Sequence, residues 1–374
     1  GSQTLSAALL RSQGEVEFSG GYSDAIEQAA NVSLEGPLSD FWHQRLSIGN
    51  SREDLNTPAF FTQFLSRRDM LDWQNVLALG SDQHLTIGLD RSNENGETLD
   101  TFFGVPQYRA SRNNTGIYAG LQAGVGAFDS EVALRRDHNN VFGDATTGSA
   151  AIGWRFSEFA RAYLSYGQGF RAPTLNEQYS PGYSGFFAGN PDLDAEKSHS
   201  AELGFEFTPA RGQRLKSNLY STRVRNLINF SGPMARAENV ADARIDGGEL
   251  SYDGDLREWS LHADITWQNS RDESNDQALV RRPKIKFTSA TDYRLSARTR
   301  IGLEFIYSGK RADVGAVTLP AYAIVNLRGS LALASDWLLR ARIENVTDRD
   351  YELVHGYNTP ARSGFIEVVW QPQP

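Results

Sequence analysis

Four aromatic side chains, Tyr179, Tyr183, Phe186 and Phe187, gather around Ser180-Pro-Gly182 in one short stretch. A glycine-rich aromatic segment of this kind can cover a flat, hydrophobic ligand. The same rings can also pack on one another to hold a long loop together, and any one of them taken singly is better explained that way. Glu53 and Asp54 form an acidic pair that suits a solvated face. Asp192, Asp194 and Glu196 form an acidic cluster whose spacing suits turn chemistry. The six histidines (43, 84, 138, 199, 262 and 355) show no metal-ligand spacing of the His-Glu-x-x-His type. No Gly-x-Ser-x-Gly element is present, nor a glycine-rich phosphate loop between a strand and a helix. Without a nucleophile paired to a base, the expected class is a non-enzyme.

The elements that must position these residues are set by composition and period. The chain has 374 residues, 40% hydrophobic and 22% charged, with a net charge of −9 and no cysteine. Its scattered acidic charge argues against nucleic acid, whose binders need basic patches. No run of eighteen apolar residues exists, so a transmembrane helix is excluded. Mean hydropathy is −0.46. That value is compatible with a transmembrane β-barrel, in which lipid-facing and lumen-facing residues alternate and average out.

Alternation is the strongest internal signal. Trp259, Leu261, Ala263, Ile265 and Trp267 enclose Ser260, His262, Asp264 and Thr266. Leu327 and Leu331 alternate with Arg328 and Ser330, and Leu339 and Ile343 with Arg340, Arg342 and Glu344. Further segments oppose Leu203 and Phe205 to Glu202, Trp154 to Arg155, and Leu85 and Ile87 to His84 and Thr86. A period of two demands strands with one face in an apolar medium. A soluble antiparallel sheet with one buried face has the same period. The polar face, however, carries charge in nearly every strand, which a soluble core does not hold. Aromatics at the segment ends fit interfacial girdles. We therefore expect a transmembrane antiparallel β-barrel with a wet lumen. Trp259, Leu261, Ile265, Leu327, Leu331, Leu339 and Ile343 should face lipid; Arg155, Glu202, Arg328, Arg340, Arg342 and Glu344 should face inward.

Links alternate in length. Glu35-Gly36-Pro37, Gly80-Ser81-Asp82 and Ala334-Ser335-Asp336 read as tight hairpins. The stretches 93–112, 168–197, 229–239, 271–282 and 310–320 read as longer loops, with one more over 54–61. Short periplasmic turns and long extracellular loops are the outer-membrane pattern. At about twenty residues per strand and link, the chain holds roughly 18 strands in one domain, 1–374.

Two motif groups add a resemblance. Gly167-Gln-Gly-Phe-Arg-Ala-Pro-Thr-Leu-Asn-Glu-Gln-Tyr179, followed by Ala188-Gly-Asn-Pro-Asp-Leu-Asp-Ala-Glu-Lys-Ser198, resembles the mid-barrel signature of TonB-dependent receptors. Ile343-Glu-Asn-Val-Thr-Asp-Arg-Asp-Tyr351 and Tyr357-Asn-Thr-Pro-Ala-Arg362 resemble that family's C-terminal motifs, with Ala361 where the family usually has Gly. Arg112-Asn-Asn-Thr-Gly-Ile-Tyr118, Arg281-Arg282 and His355-Gly-Tyr-Asn-Thr-Pro are most similar to the cobalamin-transporting branch.

The resemblance implies a barrel component of a transporter for cobalamin, whose corrin ring the Tyr179–Phe187 aromatics would cover. The alternatives are a siderophore or other metal-chelate receptor and a passive porin-like barrel. The family is a plugged barrel of 22 strands; the TonB box and plug motifs are not found here, and the first strands of the barrel are expected to be missing too. Gly1-Ser2 resembles a tag remnant, so a removed N-terminal region is expected, and coupling to TonB would pass through it. Outer-membrane lipid and lipopolysaccharide are the implied surroundings, with a monomeric barrel. Cobalamin transporters resembling this chain bind calcium through several Asp residues in the region of Glu53 and Asp54. Calcium wants six to eight oxygens, and here only Glu53, Asp54 and Asp69 are near in sequence. No cofactor is therefore expected.

Overall fold

The structure, a computed structural model, describes every residue except 1, 19, 183–186, 232–233 and 373–374, and the side chains of 231, 240 and 241 also lie outside it. Twenty strands follow in order: β1 Thr4–Phe18, β2 Gly21–Ser39, β3 Trp42–Thr57, β4 Thr62–Gly80, β5 Gln83–Asp100, β6 Val105–Val125, β7 Phe128–Asn139, β8 Gly143–Ser157, β9 Ala160–Arg171, β10 Glu196–Phe207, β11 Gln213–Ser231, β12 Arg236–Leu256, β13 Trp259–Asp272, β14 Ile285–Arg294, β15 Thr299–Ser308, β16 Arg311–Asp313, β17 Val317–Leu319, β18 Tyr322–Ala332, β19 Trp337–Glu344 and β20 Ser363–Trp370. One short helix, α1 Leu175–Tyr179, lies between β9 and β10. Eighteen strands form one sheet, and β16 and β17 form a separate hairpin. No helix among the described residues is long and apolar enough to cross a membrane.

All the alternating segments are strands, and their two faces separate as the period requires. Leu327 pairs with Ile343 and Leu331 with Leu339, while Arg328 pairs with Arg342 and Ser330 with Arg340. Directly paired residues share a face, so the apolar row and the charged row lie on opposite sides of the sheet. The charged row lines a concavity of about 400 Å³ that includes Asp292, Arg300, Arg328, Arg340, Arg342 and Glu367. That makes the polar face the inner one. Arg328 is bonded to Asp292 at 2.5 Å, Arg340 to Glu367 at 3.3 Å and Arg342 to Glu344 at 2.8 Å. The apolar face leaves Leu327 and Ile343 at 40% and 43% exposure, which in water would be costly and in lipid is favourable. The tilted pairs Trp259–Tyr293 (4.6 Å) and Trp337–Trp370 (6.3 Å) lie at strand ends, forming an aromatic band at that end of the strands.

Several boundaries differ from the sequence reading. Glu35-Gly36-Pro37 is not a turn: it belongs to β2, and the chain reverses at Asp40-Phe41. Pro37 stands opposite His43, and the register then shifts between Pro37 and Ser39, leaving Leu38 as the extra residue of a bulge next to the proline. Strand β3 runs on to Thr57, and most of 93–112 is strand, with the reversal confined to 101–104. β6 and β12 have 21 residues each, about 69 Å at 3.3 Å per residue, against about 30 Å of hydrocarbon. Beyond the bilayer neither face needs apolar residues, so the alternation stops while the hydrogen-bonded ladder continues.

The chain divides into two compact units. One comprises 1–152, 165–199 and 224–242; the other comprises 153–164, 200–223 and 243–374.

Candidate functional site

In the first unit the described residues of the link between β9 and β10, 172–182 and 187–195, do not stand away from the sheet. Thr174 and Glu177 form a capping box that starts α1: the Thr174 hydroxyl accepts from the Glu177 N–H at 3.1 Å, and the Glu177 carboxylate accepts from the Thr174 N–H at 2.7 Å. Leu175 and Gln178 of α1 are buried at 3% and 2% exposure. Leu175 sits over Gly96 of β5, Tyr179 lies 6.2 Å from Tyr108 of β6, and the Arg112 guanidinium of β6 donates to the Pro173 carbonyl. β6 and β5 are three and four strands away from β9, about 14–19 Å along the sheet. To make these contacts the segment must lie across the inner face as a strap.

Both ends of the strap are fixed. Arg171 donates to Glu196 at 2.6 Å and to Glu177 at 3.0 Å, and Glu196 also accepts from the Ile228 N–H at 2.9 Å. On the far flank, the Phe187 N–H donates to the Met234 carbonyl (3.0 Å) and the Ala237 N–H to the Ala188 carbonyl (2.9 Å). The Asp194 N–H donates to Asn239 (2.8 Å). Asp192 and Glu196 also serve turn and anchor roles, the Asp192 N–H donating to Asn190 at 3.1 Å.

Between the strap and β3–β6 is a cavity of about 440 Å³, lined by Glu53, Leu55, Thr57, Thr62, Phe64, Thr98 and Gln107 from the sheet, Asn176, Ser180, Pro181, Gly182 and Phe187 from the strap, and Phe230 of β11. Phe187 adopts a left-handed φ of 58° and meets Phe230 edge-on at 5.9 Å. Of the four aromatics singled out from sequence, Phe187 lines this cavity, Tyr179 packs instead against Tyr108, and Tyr183 and Phe186 lie outside the described residues. Phe64, Phe230 and the polar wall of Thr57, Thr98 and Gln107 were missed by sequence reasoning. The available signal was the Thr174-x-x-Glu177 capping box, which marks a helix inside the supposed loop.

Glu53 lines the cavity, but Asp54 does not join it. Consecutive residues of a strand point to opposite faces. Asp54 accepts from Gln63 at 2.7 Å and faces Arg52 at 3.6 Å, and Asp69 accepts from Asn50 at 2.6 Å and Arg67 at 3.1 Å. The three carboxylates do not converge, so they do not fit a calcium site. Among the described residues no group of three or more histidines or carboxylates is arranged to hold a metal.

In the second unit, the motif residues Arg281 and His355 meet in a clasp. The Asp313 side chain is fully covered; it accepts from Arg281 at 2.8 Å and from the N–H groups of Val314 (2.8 Å) and His355 (2.7 Å). Burial by itself would push the Asp313 carboxyl up, but the His355 and Val314 N–H groups and the Arg281 guanidinium together hold it down at about 2. The Arg311 guanidinium donates to the Glu352 carbonyl and lies 5.3 Å from the Tyr322 ring. These bonds tie the β16–β17 hairpin to the β13–β14 and β19–β20 links.

Comparison with known proteins places this arrangement. The chain is 26% identical over 306 residues to the vitamin B12 transporter BtuB of Vibrio vulnificus (strain YJ016), covering 79% of this chain and 47% of the relative. It thus spans about half the length of the curated relative it matches. Among solved structures, the copper transporter OprC superposes with a TM-score of 0.75 at 16% identity, covering 98% of this chain and 75% of that one. The siderophore receptor PirA from Pseudomonas aeruginosa gives 0.77 at 17%, covering 98% and 67%. At such identities these structures share the fold. TonB-dependent receptor barrels are outer-membrane proteins of Gram-negative bacteria, and the family consists of transporters and receptors rather than enzymes. The family described as TonB dependent receptor-like, beta-barrel matches residues 6–346, and the chain belongs to it.

Proposed function

We propose that this chain forms the wall and mouth of an outer-membrane transporter that takes up cobalamin. The observation that carries the reading is the strap, pinned across the inner face with a cavity beneath it. The 26% identity to a vitamin B12 transporter and the clasp built on Arg281 and His355 support the cobalamin branch. A cavity of 440 Å³ holds one edge of a ligand as large as a corrinoid, with Phe64, Phe187 and Phe230 against the flat ring and the amides of Gln107 and Asn176 toward its polar rim. Energy coupling through TonB belongs to the part of the relatives that this chain does not span. The barrel works as a monomer among outer-membrane lipid and lipopolysaccharide, performs no catalysis, and without a plug conducts ions as an open pore constricted by the strap.

Titration of the purified protein with cyanocobalamin, followed by tryptophan fluorescence, tests this reading. Saturable binding supports it; binding of a ferric chelate with no binding of cobalamin sinks it. The second reading, a receptor for siderophores or other metal chelates, is favoured by the fold neighbours, whose names include a copper transporter and siderophore receptors.

A further inference from the structure

The cavity under the strap has a charge character that uptake of cobalamin does not by itself demand. Glu53 is the only ionised group that lines it, and no Lys, Arg or His does so among the described residues. Glu53 pairs across the ladder with Glu27 of β2 on one side and with Ser66 of β4 on the other, and Ser66 pairs in turn with Gly96. Since paired residues share a face and Gly96 lies under Leu175, this whole row looks toward the strap. Two carboxylates therefore stand side by side on the inner face at the level of the cavity. The nearest cations of that face, Arg68 and Arg112, both stand opposite Glu94 in the next row, and Arg112 holds Glu94 at 2.7 Å. Like charges paired directly across a ladder repel. A cationic or electropositive ligand edge would relieve the Glu27–Glu53 repulsion and an anion would add to it; both carboxylates are exposed to water, so salt screens the effect and low ionic strength reveals it.

We propose that this cavity selects ligands by charge, admitting an uncharged or cationic edge and rejecting polyanionic metal chelates, with Glu53 as the residue that reads the charge. The proposal rests on the transporter reading above and narrows it.

The experiment uses the whole chain in detergent micelles at low salt, with two series of probes. The corrinoid series is aquacobalamin (cationic), cyanocobalamin (neutral) and a cobalamin carboxylic acid (anionic). The iron series is a neutral ferric trihydroxamate and a trianionic ferric tris-catecholate. Within each series, affinity should fall about tenfold or more from the most positive to the most negative member. Glu53→Gln, which keeps the side-chain shape, should flatten both series several-fold, and Glu27→Gln should act in the same direction more weakly. The proposal is overturned if the tris-catecholate binds as tightly as the neutral chelate, if neither variant changes the charge dependence, or if no probe binds. Ordered binding of the iron series without corrinoid binding would sink the cobalamin reading and leave charge selection standing.

Discussion

Leu175 of the strap helix lies directly over Gly96 of β5: a Cβ built on Gly96 would come within 2.9 Å of Leu175 Cδ1 and 3.3 Å of its Cβ. The absence of a side chain at Gly96 is what lets the strap descend onto the sheet. Gly96→Leu puts four extra carbons into that space, and overpacking of this kind costs about 1–3 kcal/mol. We expect this variant to lift the strap, raising single-channel conductance in planar bilayers and weakening ligand binding. Gly96→Ala adds one carbon, which the end of the Leu175 side chain and a shift of a few tenths of an ångström can accommodate, and should do less. Equal conductance in wild type and Gly96→Leu would show that the strap does not constrict the mouth.

Arg112 fixes the same strap from β6. Its guanidinium is 13% exposed and joins Glu94 to the Pro173 carbonyl. Hydrogen bonds involving charged groups contribute about 1.5–3 kcal/mol. Arg112→Ala should therefore speed amide hydrogen exchange across 173–180 without changing exchange in β13–β15. Removal of 180–189 should raise conductance further than Arg112→Ala does. If exchange in the strap is unaltered by Arg112→Ala, the anchor lies elsewhere.

The two faces of β18 and β19 predict opposite tolerance to charge. Leu327→Arg or Leu339→Arg places a guanidinium on the lipid side and should cost about 2–4 kcal/mol if the position is near the midplane. Ser330→Arg lies on the polar face but directly opposite Arg300 and Arg340, and that like-charge pairing should cost only about 0.2–1 kcal/mol. Urea titration of unfolding in lipid bilayers measures all three. A larger loss for Ser330→Arg than for Leu327→Arg would reverse the assignment of faces.

Asp313 gives the clasp a pH signature. Its carboxyl is held at about 2 in the folded protein, below the ordinary 3.8. A carboxyl depressed by folding contributes stability that is fully present above its unfolded value and is lost as pH falls through its folded one. Loop protection over 311–319 should therefore weaken between about pH 4 and pH 2. Asp313→Asn should weaken it already at neutral pH and flatten its fall across that window. Hydrogen exchange after acid incubation reads this directly, and an unchanged acid profile in Asp313→Asn would assign the loss to other groups.

The fold class was legible in the sequence because a membrane-crossing strand has only two surroundings. Leu327, Leu331, Leu339 and Ile343 must alternate with Arg328, Arg340 and Arg342, and a period of two survives without any knowledge of partners. Register follows from the same constraint, since a one-residue slip would put arginine into lipid. Outside the bilayer that constraint lapses. The sequence therefore misplaced the ends of β3, β5 and β6 and took Glu35-Gly36-Pro37 for a turn. The site lay further beyond reach. Glu53, Gly96, Arg112, Leu175 and Phe230 are distant in sequence and carry no shared period. They meet because β3–β6 lie side by side and because the strap folds across three to four strand spacings. The Thr174–Glu177 capping box announces a helix locally, but which surface that helix covers depends on a glycine about eighty residues earlier. Sequence determined the strands and their two faces; only tertiary structure decided that a loop lies over the inner one and that a cavity with a single carboxylate lies beneath it.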